Sequence, residues 1–161
     1  MARRVPSYTG RTFPYWIDES NGHTNLRLVG RNLAVGAWAA PREFKGWSGI
    51  IDFYGSSRED PEEYPEGASL LRIPFEDGQQ FPKGALDTAL MFVQAHRKDG
   101  PVLFHCAAGL SRSASAAYAM LRVLDGLSHE DALERVQTEN TDYPMQATLN
   151  SARGWVQRRR I

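Results

Sequence analysis

The sequence predicts an α/β fold, a central mixed and largely parallel sheet with helices on both faces, on three observations. Residues 85–98 place Leu86, Ala89, Leu90 and Val93 on one helical face. They lie between two apolar runs, 69–73 and 102–104, so strand, helix and strand make a βαβ unit with a right-handed crossover. A second helix, 114–125, leaves the 102–104 strand through a tight loop, with Ala117, Met120, Leu121 and Leu124 at i, i+3, i+4 and i+7.

The elements follow in order. Residues 1–24 mix Tyr8, Phe13, Tyr15 and Trp16 with Pro6, Gly10 and Pro14 and show no period. They are expected to form an irregular arm laid over the domain by its rings, with residues 25–161 as the functional body of one domain. Leu26 and Leu28, the turn residues Gly30-Arg31-Asn32, then Leu33 and Val35, read as a hairpin. Residues 49–54 read as a buried strand in which Asp52 is the odd residue, expected to be a hydrogen-bonded structural carboxylate. A polar loop covers 56–68, and Pro74 stops the next strand. After the 114–125 helix, Gly126 reads as its stop. Ser128 with Asp131 three residues on reads as the start of a further helix carrying Leu133 and Val136. Residues 140–144 break the chain before a last helix, 145–158, with Leu149, Ala152, Trp155 and Val156.

Length and charge narrow the function classes. A chain of 161 residues is one domain with room for a real core. Nineteen basic residues balance 19 acidic ones, so no global field points to nucleic acid or an anionic membrane. The runs Arg3-Arg4 and Arg158-Arg159-Arg160 read as solvated ends. A single cysteine excludes an internal disulfide and fits a reducing compartment. No apolar stretch reaches membrane-spanning length, and a cytoplasmic monomer is expected. His23, His96 and His129 lack partners at metal-ligand spacing, so solvent-facing rings and no metal or cofactor are expected.

The chemistry concentrates in His105-Cys106-Ala107-Ala108-Gly109-Leu110-Ser111-Arg112-Ser113. A strand, a loop with one glycine and a helix N-terminus leave main-chain N–H groups free to hold an anion such as phosphate. In that field Cys106 should act as a thiolate nucleophile. Arg112 offers a planar fork for two phosphate oxygens, Gly109 lets the backbone turn its amides inward, and Ser113 can donate to the sulfur. The ring of His105 is expected to hydrogen-bond loop backbone and fix Cys106 rather than to move protons.

This stretch resembles the His-Cys-x-x-Gly-x-x-Arg-Ser/Thr loop of the cysteine-based protein tyrosine phosphatases, and its Ala-Gly-x-Ser-Arg-Ser run is similar to the small dual-specificity branch. The resemblance is strong over about residues 70 to 140. It implies a phosphomonoester hydrolase working through a cysteinyl-phosphate without metal. It also implies a general acid on a loop after a strand, about thirty residues before the nucleophile. Asp77, 29 positions before Cys106 and followed by Gly78, fits that place, with Glu76 its competitor. The family often keeps a water-orienting polar residue before the last helix, where Gln146 and Asn150 are the candidates and read better as surface amides.

The resemblance further implies that a phosphoinositide phosphatase would usually add cations in this loop; Ala107, Ala108 and Leu110 leave it without lysine, which favours a phosphoprotein over a polyphosphoinositide. Phosphotyrosine is the expected substrate, with phosphoserine and phosphothreonine next; Tyr54, Phe75 and Phe81 could flank an aromatic group. A sugar phosphate, an RNA 5′-phosphate or a lipid phosphate are the alternatives of the same mechanism. From another class, the alternative is a module that binds phosphate without hydrolysing it. A lone reactive thiolate also predicts oxidation by peroxide to a sulfenic acid with no resolving cysteine in the chain.

Overall fold

The computed structural model describes residues 24–54 and 64–159, together with the backbone of two strands, β1 (Ala2–Pro6) and β2 (Thr12–Asp18). Those two strands pair antiparallel, with an irregularity between Arg4 and Pro6, so the segment expected to be irregular carries β structure. Their partner is each other, and Pro6 sits at a strand end, where a missing N–H is tolerated; periodicity in the sequence does not register either fact. The backbone of this hairpin comes close to β3 and to the turn at 40–43. How its rings pack lies outside the described residues, as do His23 and most of the 56–68 loop.

The main sheet has five strands in the order β3 (Arg27–Gly30), β4 (Leu33–Gly36), β7 (Val102–His105), β5 (Gly49–Asp52) and β6 (Ser69–Arg72). Only β3 is antiparallel, joined to β4 by the expected turn, in which Asn32 takes φ +50° and donates its side-chain amide to the Arg97 carbonyl. The other four are parallel, so the sheet is mixed and largely parallel. The helices are α1 (Ala85–His96), α2 (Arg112–Leu124), α3 (His129–Val136) and α4 (Gln146–Arg159). As expected, Ser128 caps α3 by accepting from the Asp131 N–H at 3.1 Å.

Alternation along the strands divides the core. Leu33, Val35, Ile51, Val102 and Phe104 face one way and pack with all four α-helices. Ala34, Ile50 and Leu103 face the other way against Leu26, Ala40 and Trp47. Helical cover is therefore uneven: four α-helices on one face, and among the described residues a single 3₁₀ turn, Ala40–Glu43, on the other. α2, buried along nearly its whole length, is the centre of the thick layer, touching the other three helices and strands β4 and β7. At the C-terminal end Arg159 is exposed, donates to Asp87 at 2.9 Å and lies over the Trp155 ring.

At the carboxyl ends of the parallel strands Gly36, His105, Asp52 and Arg72 stand in register across β4, β7, β5 and β6. β7 sits between strands that precede it in the chain, so the loop leaving His105 emerges where the strand order reverses. Open α/β sheets hold ligands there.

Candidate active site

Cys106 follows β7 directly and is 2% exposed, with its Sγ 3.1 Å from the Ser113 hydroxyl. The helix begins two residues earlier than its apolar spacing suggests, at Arg112. Arg112 and Ser113 thus occupy its first turn, which aims both side chains at the loop.

The loop's carbonyls settle where its amides point. Ala107 accepts the Trp38 N–H at 3.1 Å, and Ala108 accepts the Asn25 side-chain amide at 2.7 Å. A planar trans peptide holds its N–H opposite its C=O, so the N–H groups of Ala108 and Gly109 point away from these protein donors, into the hollow. Ser111 accepts the Ser115 N–H at 2.7 Å, which sends the Arg112 N–H off the open end of α2. Among the described residues none of the N–H groups of 107–112 meets an acceptor. Gly109 has φ +73°, and a Cβ there would stand 2.6 Å from the Gly36 carbonyl carbon. Gly109→Ala therefore combines left-handed strain, about 1–2 kcal/mol, with a main-chain clash. It is expected to weaken phosphate binding and lower kcat/KM at least about tenfold, as read by steady-state kinetics and phosphate inhibition.

Arg112 is buried and anchored. Its Nη1 donates to the carbonyls of Phe53 at 3.3 Å and Phe75 at 2.6 Å, and its guanidinium lies over the Tyr54 ring. Nε has no hydrogen-bond partner among the described residues, and Asp77 Oδ1 stands 3.8 Å from it. The Nε–Nη2 edge remains for a bidentate oxyanion. Asp77 is half-exposed and accepts from the Gly78 N–H at 3.1 Å. Glu76 is exposed and gives the described contacts only its carbonyl, to Gln79. Asp77, rather than Glu76, is thus the carboxylate brought beside the Arg112 edge.

The loop carrying Asp77 is moored to α4. Thr148 donates to the Gln79 carbonyl at 2.8 Å, and the Phe81 N–H reaches Ser151 at 3.0 Å. The Met145 N–H donates to Ser111 at 3.0 Å, while the Met145 side chain packs at Gly78. One residue therefore touches both loops, a tie that no local sequence pattern signals. Gln146 and Asn150 bond each other at 2.7 Å on the exposed side of α4, as surface amides do. Phe75 and Phe81 are half-buried, and both pack edge-on against Phe53 beneath the loop. Tyr54 is the aromatic ring left at the Arg112 side.

Behind Cys106 the ring of His105 is fully buried. Its Nε2 lies 3.0 Å from the Tyr64 hydroxyl and 3.6 Å from Asp52. Asp52 also accepts from the Tyr54 N–H at 2.7 Å and Arg72 at 3.2 Å, which fits the structural carboxylate expected. Tyr64, in a stretch read only as polar loop, is the partner sequence reasoning missed. Burial pushes His105 down to about 4; Asp52 and the Cys106 main chain oppose that and Arg72 adds to it. The unfolded chain, with imidazole near 6.5, protonates first on acidification. This contribution to stability is full above pH 6.5 and is lost as pH falls toward 4, by roughly 3 kcal/mol. Urea melts across that window should show the loss, and His105→Gln should flatten the slope. His129 is no solvent-facing ring either: its Nδ1 lies 2.8 Å from the Tyr118 hydroxyl, which Arg122 also reaches. Among the described residues no cluster of His, Cys, Asp and Glu could hold a metal ion, and no helix is long and apolar enough to cross a membrane.

Residues 50–153, more than half of the chain, match the family model of the dual specificity phosphatase catalytic domain. No curated protein matches the chain in sequence. Solved structures are similar in fold. The active form of Tk-PTP is 21% identical, with 83% of this chain and 94% of that chain covered and a TM-score of 0.65. A complex of P. aeruginosa TpbA with pTyr is 21% identical, covering 87% and 85% of the two chains at a TM-score of 0.62. A complex of PTPMT1 with PI(5)P is 19% identical, covering 81% and 93% at a TM-score of 0.65.

Proposed function

Because the chain belongs to the dual specificity phosphatase family and is a phosphatase of that type, we propose that it hydrolyses phosphomonoesters in proteins through a cysteinyl-phosphate, with residues 25–161 as the catalytic domain. Phosphotyrosine is the preferred substrate, and phosphoserine and phosphothreonine follow. The observation that carries the reading is the loop itself: a buried sulfur beside a hydroxyl, ringed by main-chain N–H groups with no protein acceptor among the described residues, next to a guanidinium whose Nε makes no hydrogen bond and has Asp77 3.8 Å away.

In the first step the Cys106 thiolate attacks phosphorus, an S–P bond forms and the ester P–O bond breaks. Asp77 gives its proton to the leaving oxygen. The loop N–H groups and the Nε–Nη2 edge of Arg112 hold the three equatorial oxygens as their charge shifts. In the second step a water oxygen attacks phosphorus and Asp77, now a carboxylate, takes its proton. The S–P bond breaks, its electron pair returns to Sγ, and the Ser113 hydroxyl at 3.1 Å stabilises the sulfur anion.

Among the structural neighbours, TpbA is seen with pTyr and PTPMT1 with PI(5)P, so fold alone favours neither a protein nor a lipid. The uncharged side chains of Ala107, Ala108 and Leu110 favour the singly phosphorylated protein residue. A lone cysteine that must stay reduced supports a cytosolic setting. Turnover of a phosphotyrosyl peptide should exceed that of phosphoinositide vesicles in a phosphate-release assay. Preference for the vesicles would move the substrate to lipids, and binding of phosphopeptide with no release would make the chain a recognition module.

A further inference from the structure

We propose that Arg27 and Asn25 are positioning residues of this reaction: they form a relay from the end of α3 to the phosphate loop that fixes the Gly109 N–H for the oxyanion. The inference rests on the phosphatase reading above and adds two residues that lie 79 and 81 positions before Cys106 in sequence.

The relay is continuous. Arg27 donates from Nη2 to the Val136 carbonyl, the last residue of α3, and from Nη1 to the Asn25 carbonyl at 2.8 Å. Asn25 holds φ +48°, the left-handed region that asparagine tolerates better than most residues with a side chain. In that conformation its side-chain amide reaches the Ala108 carbonyl at 2.7 Å. The peptide bond then carries the constraint across, because holding the Ala108 C=O outward holds the Gly109 N–H inward.

Two further features separate this arrangement from ordinary packing. A cavity of about 780 Å³ opens between α3 and β3, with Asn25 and Arg27 on one wall and Leu133 and Gln137 on the other. Ala108 itself is exposed, and the Asn25 amide is what holds its carbonyl. Arg27 is half-buried, and among the described residues its Nε has no hydrogen-bond partner and no carboxylate pairs with it. Burial pulls it down to about 10, and the charge that opposes this is that of Cys106.

The test compares Asn25→Gly, Asn25→Asp, Arg27→Met and Arg27→Lys with Glu134→Gln, a control on the same cavity. Readouts are kcat and KM on p-nitrophenyl phosphate, orthovanadate affinity, and the thermal midpoint. Asn25→Gly keeps the backbone freedom and loses only the donor, so kcat and vanadate affinity should each fall about tenfold with little change in the midpoint. Asn25→Asp should lose more, because a carboxylate repels the carbonyl it faces. Arg27→Met should match Asn25→Gly, Arg27→Lys should recover part of the loss, and Glu134→Gln should change nothing. Wild-type vanadate affinity and kcat in both Asn25→Gly and Arg27→Met would overturn the relay. So would losses that track the thermal midpoint while vanadate affinity holds. A wild-type chain that binds vanadate yet turns over no ester would overturn the hydrolytic reading instead, and the affinity comparison alone would then judge the relay.

Discussion

Cys106→Ser is expected to abolish turnover of every phosphomonoester while leaving the fold and phosphate affinity close to wild type. The substitution is nearly isosteric in a site that is 2% exposed, so packing changes little. The N–H groups of the loop and the Arg112 edge survive, so the oxyanion still binds. The nucleophile does not survive, because a serine hydroxyl requires a base to remove its proton. Among the described residues no such base is seen beside it. His105, the nearest imidazole in sequence, is buried against Tyr64 and Asp52, and the hydroxyl partner at 3.1 Å is Ser113, itself a donor. Kinetics with p-nitrophenyl phosphate and calorimetry with inorganic phosphate separate the two effects. Retained turnover in this variant would exclude the covalent route.

Asp77→Asn carries the second largest effect. The amide keeps the shape and the position beside Arg112, 3.8 Å from Nε, and loses the transferable proton. General acid catalysis of this kind is worth about 10²–10⁴-fold, and kcat for phenyl phosphate or a phosphotyrosyl peptide should fall by that order. A nitrophenolate leaves without a proton, so the loss should shrink with p-nitrophenyl phosphate. Glu76→Gln should act on neither substrate, because Glu76 is exposed and offers the described contacts only a main-chain carbonyl. A crippled Glu76→Gln beside a near-normal Asp77→Asn would move the acid by one residue.

The parts of this molecule that were legible in its sequence are those with local causes. Helical spacing located α1, α2 and α4, turn chemistry located the β3–β4 hairpin, and Ser128 with Asp131 announced the start of α3. The phosphate loop was legible because its residues are consecutive, so that Cys106, Gly109, Arg112 and Ser113 declare their geometry within eight positions. What was not legible depends on residues far apart in the chain. Asn25 reaches Ala108 across 83 positions, Tyr64 reaches His105 across 41, and Met145 ties Ser111 to the Asp77 loop. None of these has a spacing signature, since each joins segments that only the tertiary fold brings together. The packing of the Phe75 and Phe81 rings was hidden for a related reason. A sequence shows that an aromatic residue is near a loop, and only the fold shows that Phe53 lies beneath it.

The covalent intermediate is the central claim, and rapid acid quench of a turning-over sample reaches it directly. Peptide mass analysis should find one phosphoryl group on the fragment containing Cys106, formed with substrate and removed by a chase, and enriched when Asp77→Asn slows its hydrolysis. A sample quenched during steady turnover with every Cys106 fragment unmodified, or with the phosphoryl group on another residue, would contradict it.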